Sequence, residues 1–498
     1  MTAATVLALG NAAAAPIGDV PRHDGATFGR LVARGHGRRV SALFARPLGS
    51  AHEAIAAMAA DDDGLIEFAT TELGASFPSI TPICTEVHLF EREIWEQWGI
   101  APIGHPWLKP VRFQPPMGRA APASRPKIGE AEFYRIEGDE VHEVAVGPVH
   151  AGVIEPGHFR FQCHGEAVMH LEISLGYQHR GVERALVGGP NPRSLHLAET
   201  LAGDTTIGHA TAYCQVVEAL AGTRPPPRAL ALRAIALELE RLANHVGDLG
   251  ALAGDVGFLP SAAYCGRLRG DYLNLTAELC GNRFGRGMVR PGGVGFDVSP
   301  ARIDDMRRKL ERAMHDTRTA VELLWDTASV QARFEDTGRI AIDLARQLGL
   351  VGPAARASGL KRDVRKTHPS GYYRFVHIPV SLWNTGDVFG RAFVRWLEIQ
   401  RSAEFVLAQL GKLPAGAIAV EPTRLRGGQI VSSLIEGWRG ELCHVALTDE
   451  LGRFAAYKIV DPSFHNWSAL AMALRDQQIS DFPLCNKSFN LSYCGHDL

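Results

Sequence analysis

The sequence predicts an α+β fold: a small N-terminal α/β domain, then a large, mainly helical bundle domain carrying a small antiparallel sheet. Three observations carry that expectation. Short, mixed strand and helix patterns fill residues 23–112. A proline-rich tract, Pro115 to Lys127, then interrupts them. Beyond it, three long stretches space their apolar residues for one buried helical face.

Within the first part, G-R-R-V-S-A-L-F-A-R reads as a strand and H-E-A-I-A-A-M-A-A as a helix. Val87 to Ile100, V-H-L-F-E-R-E-I-W-E-Q-W-G-I, places bulky apolar residues three to four apart, which predicts a short helix ended by Gly99. The prolines of G-H-P-W-L-K-P force an extended path. The tract P-P-M-G-R-A-A-P-A-S-R-P-K has linker composition, so the expected division is 1–114, a linker at 115–128, and 129–498. The second part opens with strand-like V-H-E-V-A-V-G-P-V-H and H-F-R-F-Q-C-H-G-E. Helices are expected at Pro227 to Leu249, with Pro227 in the first turn, and at Phe389 to Leu410. A third runs from Ala301 to about Phe334, with a break near Thr317. No repeat of 20 to 50 residues appears.

Composition sets the class. The 498 residues are 46% hydrophobic and 21% charged, enough for a substantial core. A net charge of -2 gives no electrostatic case for nucleic acid. None of the eight cysteines forms a C-x-x-C pair, and reduced thiols are expected in a chain this large. The N-terminal run lacks the basic start of a secretory signal, and no apolar run reaches a membrane-spanning length of about 18 residues. No G-x-G-x-x-G and no P-loop is present, so neither a nicotinamide nucleotide nor an iron–sulfur cluster is expected on this chain.

Five ordered blocks carry a resemblance: G-P-V-H-A-G-V-I-E-P-G-H-F-R-F, L-G-Y-Q-H-R-G-V-E-R, H-A-T-A-Y-C-Q-V-V-E, D-P-S-F-H-N-W-S-A-L and N-K-S-F-N-L-S-Y-C-G-H-D-L. They resemble the large subunit of energy-converting, membrane-bound [NiFe] hydrogenases and the related 49 kDa-type subunit of respiratory complex I. The first part, through V-H-L-F-E-R-E-I-W-E-Q-W-G-I and G-H-P, resembles the 30 kDa-type subunit. The fused order is similar to the hydrogenase-4 and formate-hydrogenlyase type. The resemblance implies four thiolates around a soft Ni–Fe centre. Carried over by position, they fall on Ala202 and Thr205, and on Ser492 and Gly495. None is a cysteine, and Cys494 lies beside a ligand position rather than on it. The expectation is therefore no metal bound by this chain and no hydrogenase activity of its own. The family also trims its C-terminus after metal insertion. An ending at His496-Asp497-Leu498 fits a chain without that step, and a trimmed mature chain would end similarly.

In the complex I relatives a histidine and a tyrosine hold the quinone head, by hydrogen bonding and proton donation. His150 and His158 both fall in the histidine's segment, and the tyrosine falls on Gly203. Both histidines stay candidates for a quinone. His179, Arg180 and Glu183 lie in a stretch the resemblance puts near the site and the proton route, either functional or a buried ion-pair cluster. His179 and Glu183 are expected as i,i+4 helix neighbours. Glu166 and Glu172 are candidate proton relays, with Glu172 and His170 on one wet strand face. His209 stands beside the metal in hydrogenase relatives and is expected here to hydrogen-bond within the bundle. Cys485, Cys494 and His496, with Cys214 and His209, form a remote zinc or iron candidate. Arg365 and Asp387 are expected either to face a partner subunit or the cavity, or to lie in solvated loops. Arg439, in the stretch Glu436 to His444, is expected either to offer a fixed positive end to a carboxylate or proton path or to serve simple turn chemistry.

Three functions follow. The first is a non-metallated subunit of a complex I-related membrane complex, set between an iron–sulfur subunit and ion-translocating membrane subunits. It would lie peripherally on the cytoplasmic side of the membrane. The second is an NADH dehydrogenase-like, quinone-reducing subunit. The third is a non-catalytic soluble interaction protein.

Overall fold

The computed structural model describes all residues except 1–4, 36, 118–126, 129 and 151–153, so most of the expected linker lies outside the described residues. The N-terminal region is a mixed α/β unit. Its sheet runs Leu7–Gly10, Leu65–Leu73, Ala51–Ala60, Arg38–Leu48, all antiparallel, with Arg22–His23 added in parallel to Leu65–Leu73. The expected helix at 52–60 is thus a central strand. Its alanines favour a helix locally. Paired on both edges and buried on both faces, however, the segment gains more as a strand whose small side chains admit close packing. The strand expected beside it is Arg38–Leu48. The Val87 to Ile100 pattern gives the helix His88–Trp98, closed by Gly99 at φ 75°, a left-handed backbone that glycine adopts without steric cost.

The helix-rich region forms as patterned. Pro227–Asp255 begins with Pro227 in its first turn and packs along Leu259–Cys280 and Val388–Leu410. Pro300–Trp325 packs on Leu259–Cys280. It runs unbroken through Thr317, whose hydroxyl is satisfied by the Ala313 carbonyl at 2.7 Å and by Tyr272 at 2.9 Å. The break comes instead at Asp326, before Ala328–Phe334. Besides the short hairpin of Val289–Arg290 with Gly293–Val294, two larger sheets complete this region. One is Ala167–Ser174, His158–His164, Val141–Val146; the other is Phe454–Val460, Gly440–Thr448, Gln429–Gly437.

The second of these sheets ties the regions together. Ala14–Pro16 pairs with Gln429–Gly437. Ile430, Leu434, Cys443 and Val445 enter the same apolar core as Ile55, Phe68 and Phe90. Burial of this kind contributes about 25 cal/mol per Å² of apolar surface. Ion pairs cross the same contact: Arg39 binds Glu441, and Lys458 binds Glu93 at 2.6 Å while also holding Glu183 of its own region at 3.0 Å.

Arg365 and Asp387 correct the expectation placed on them, because both are buried within the chain. Arg365 pairs with Asp363 at 2.7 Å and Glu238 at 3.1 Å. Asp387 caps Val388–Leu410 by accepting the Gly390 N–H at 2.8 Å.

Candidate functional site

The segments named for the four thiolate positions converge. The loop ending at Thr205 leads into the helix Thr206–Ala221. Ser492 caps Tyr493–Asp497, its hydroxyl accepting the Gly495 N–H at 2.9 Å. The turn between Gln429–Gly437 and Gly440–Thr448 sends Arg439 into the gap. Its guanidinium donates to both Asp204 oxygens at 2.5 and 2.8 Å and to the Asn490 carbonyl at 2.5 Å, and rests 3.9 Å from the Trp438 ring centre. Burial disfavours the charge on Arg439, but Asp204, joined by Asp461 and Asp248, holds its pKa above the ordinary guanidinium value.

Against Gly495 lies Asp461. A Cβ on Gly495 would stand 2.7 Å from the Asp461 carboxylate carbon. Asp461 caps the helix Pro462–Ala473 through the Ser463 N–H at 2.8 Å and takes a 3.1 Å hydrogen bond from His209 Nε2. His209 Nδ1 lies 3.1 Å from His444 Nε2, and His444 Nδ1 lies 3.0 Å from the Tyr457 hydroxyl. One proton assignment satisfies every group: Tyr457 donates to His444, His444 to His209, and His209 to Asp461. All four side chains are buried. Burial and the neighbouring His209 push His444 well below the usual imidazole value, consistent with a neutral ring. Burial works to raise Asp461, yet His209 and then Arg439 hold it below the usual carboxylate range.

This donor set does not fit a Ni–Fe centre. It offers hard oxygens and imidazole nitrogens already spent on hydrogen bonds, where a soft bimetallic core takes thiolates. The neighbouring thiol, Cys494, is pushed up to about 11 by burial and by Glu155. Among the described residues, no group of three or more His, Cys, Asp or Glu is placed to hold a metal ion, so Cys485, Cys494, His496, Cys214 and His209 form no such cluster.

The remaining candidates lie on other segments and make contacts of their own. His150 Nε2 lies 3.0 Å from the Gly157 carbonyl, and 151–153, between the two histidines, fall outside the described residues. His158 Nδ1 is 3.4 Å from the Gly147 carbonyl, while its buried Nε2 has no partner. Glu166 sits exposed in the hairpin turn, at the far end of the His158–His164 strand, a separation of about 20 Å at 3.3 Å per residue. His179 and Glu183 are not helical neighbours, because the helix starts only at Val182, after left-handed Gly181. His179 Nδ1 meets the Asp497 carbonyl at 2.7 Å. Arg180 donates to the Thr200 and Leu201 carbonyls at 2.8 and 3.0 Å, steadying the loop that presents Ala202. Glu183 takes the Ile459 N–H at 2.9 Å and pairs with Lys458.

Asp204, Asp461, His444 and Glu240 escaped the sequence reading. Asp461 opens the block D-P-S-F-H-N-W-S-A-L, so its place was marked though its role was not. Glu240 accepts the Ile207 and Gly208 N–H groups at 2.7 and 3.2 Å. Burial raises its carboxyl to about 8 against those two bonds, with Asp204 adding to the rise. A raised folded pKa means the folded state holds the proton above the unfolded value, so Glu240 costs stability as pH climbs toward 8. Glu240→Gln should flatten the fall in unfolding free energy between pH 5 and 8, by up to about 1.4 kcal/mol per pH unit. Urea denaturation at several pH values reads this directly.

Comparison with known proteins agrees with the arrangement. Residues 255–429 match the family described as Respiratory-chain NADH dehydrogenase, 49 Kd subunit. Residues 57–122 match Respiratory-chain NADH dehydrogenase, 30 Kd subunit. A carbon monoxide-induced hydrogenase of Rhodospirillum rubrum is 30% identical over 351 residues, 70% of this chain and 97% of the relative. Formate hydrogenlyase subunit 5 of Escherichia coli (strain K12) is 29% identical over 433 residues, 84% of this chain and 76% of the relative. NADH-quinone oxidoreductase subunit 4 of Thermus thermophilus is 28% identical over 369 residues, 69% of this chain and 90% of the relative. With 30 kDa-like and 49 kDa-like regions in one chain, and no metal-binding cluster among its described residues, the protein belongs to the complex I-related hydrogenase-4 and formate-hydrogenlyase family of subunits.

Proposed function

We propose that this chain is a non-metallated subunit of a membrane-associated, complex I-related oxidoreductase complex, coupling an iron–sulfur partner to ion-translocating membrane subunits. The carrying observation is the gap itself. Arg439 with Asp204, and Asp461 with His209, occupy the ground between Thr205, Ser492 and Gly495. Such a chain keeps the family's scaffold while giving up its hydrogen chemistry. It has no helix long and apolar enough to cross a membrane among the described residues, so contact with the bilayer would run through partners.

One observation favours a second reading, a quinone-reducing subunit: the partnerless, buried His158 Nε2, which, with Nδ1 donating to the Gly147 carbonyl, could accept the hydroxyl proton of a quinol. One preparation tests both. The complex purified from native membranes should carry below about 0.1 nickel per chain, together with a cluster-bearing subunit and membrane subunits; the thiolate count sets that expectation. Stoichiometric nickel ends the first reading. Quinone reduction that survives His158→Ala unchanged ends the second.

A further inference from the structure

A cleft of about 540 Å³ opens between the N-terminal and helix-rich regions, beside the helix that carries Gly495, whose His496 lines it. Its walls are His88–Trp98, the 107–113 segment, Ala167–Ser174 and Pro462–Ala473 with Arg475 just beyond. None of Ala202, Thr205, Ser492, Gly495, His150 or His158 lines it. The volume suits one small molecule.

Two features of the lining specify the guest. The first is aromatic. Trp107 and Tyr134, 41% and 45% exposed, meet edge to face at 5.8 Å, and Tyr134 leans on His170 at 4.9 Å. Exposed rings on a cleft wall offer faces for a flat partner. The second is charge. Arg92, Lys109 and Arg475 face the single carboxylate of Glu172. Lys109 is tied to Glu172 and lies 4.5 Å from the Trp107 ring centre. Arg92 donates Nε and Nη2 to the Lys109 and Pro110 carbonyls, at 2.7 and 2.8 Å, and forms no ion pair among the described residues. Arg475, exposed on the cleft, likewise forms no ion pair among the described residues. Two guanidiniums therefore border an aromatic cleft without a direct ion pair among the described residues, Glu172 being the carboxylate on its lining and Glu96 lying behind Arg92.

We propose that this cleft binds a small, flat aromatic anion, its ring against Trp107 and Tyr134 and its negative group between Arg92 and Arg475. Aryl carboxylates and nucleoside monophosphates share that chemistry. Calorimetry on the full-length chain with 2-naphthoate and adenosine 5′-monophosphate, each against its neutral counterpart 2-naphthol or adenosine, separates the two sources. At least one anion should saturate below about 1 mM and exceed its counterpart about tenfold, the scale of one charge-assisted hydrogen bond. Arg475→Gln, at an exposed position without an ion pair, should weaken the anion about fivefold or more. Glu172→Gln should act in the opposite direction, tightening it about threefold or more, because it frees Lys109 and removes the one negative wall. The glutamine oxygen still accepts the Tyr134 N–H that Glu172 takes at 2.8 Å. A general loss of folding cannot tighten binding. Failure of both anions to saturate, equal affinity for the neutral rings, or no tightening by Glu172→Gln overturns the proposal. So does a partner-protein segment cross-linked onto Trp107 in the intact complex.

Discussion

Arg439→Met lowers the unfolding free energy by about 2–4 kcal/mol at neutral pH, and the deficit narrows as pH falls below about 4. The lower figure reflects the partner: the Asp204 side chain keeps 31% of its exposure and regains water when the guanidinium leaves. The upper figure follows from losing one member of a nearly buried pair, at about 3–5 kcal/mol when both are sequestered. Methionine keeps the apolar stem against Trp438 but returns nothing to the Asn490 carbonyl. The pH dependence comes from Asp461. Its folded pKa lies below the ordinary value because His209 and then Arg439 outweigh its burial. A depressed carboxylate contributes stability above its unfolded pKa, and that contribution disappears as pH drops through the folded value. Without Arg439 the depression shrinks, so the native chain loses more on acidification than the variant does. Paired urea titrations at pH 7 and at about pH 2.5 measure it. An equal deficit at both pH values would mean that Arg439 acts only through packing.

The sequence exposed the fold wherever local pattern and tertiary packing agree. The helix ended by Gly99 and the helix opened by Pro227 were legible because cap chemistry and apolar spacing point the same way. The strand Ala51–Ala60 was not, because its alanines carry no strand signature and its neighbours decide its state. Thr317 misled for a related reason. A threonine within a helix looks like a break, yet here it bonds back to Ala313 and across to Tyr272. At the site, the missing sulfurs could be read by position, but what replaced them could not. Asp204 and Arg439 are 235 residues apart, and His209 and Asp461 are 252 apart. No spacing rule joins residues so distant; only the closing of the 437–440 turn over the Thr206 helix start brings them together.

Restoring all four sulfurs, in Ala202→Cys/Thr205→Cys/Ser492→Cys/Gly495→Cys, should destabilise the chain by about 3 kcal/mol or more and still leave nickel below about 0.1 per chain, even beside a working hydrogenase maturation system. Each position has been taken over. Ala202 is fully buried, so added volume there strains its surroundings. Ser492 gives the Gly495 N–H its cap, at about 0.5–2 kcal/mol. The largest obstacle is at 495, where a side chain must begin 2.7 Å from the Asp461 carboxylate carbon. Asp461 cannot simply rotate away, because it holds both the Ser463 N–H and His209. Moving it would unsatisfy a buried imidazole as well as a helix start. Gly495→Ala isolates that term: it adds one methyl and no ligand, and should account for a large share of the loss. Elemental analysis, together with denaturation of both variants, decides the matter. Stoichiometric nickel in the fourfold variant, with hydrogen-dependent electron flow, would show that Asp461 and Arg439 only fill an emptied site. Nickel-free, destabilised protein would show that the chain has rebuilt this ground around carboxylates and imidazoles, so four mutations are too few to reverse it.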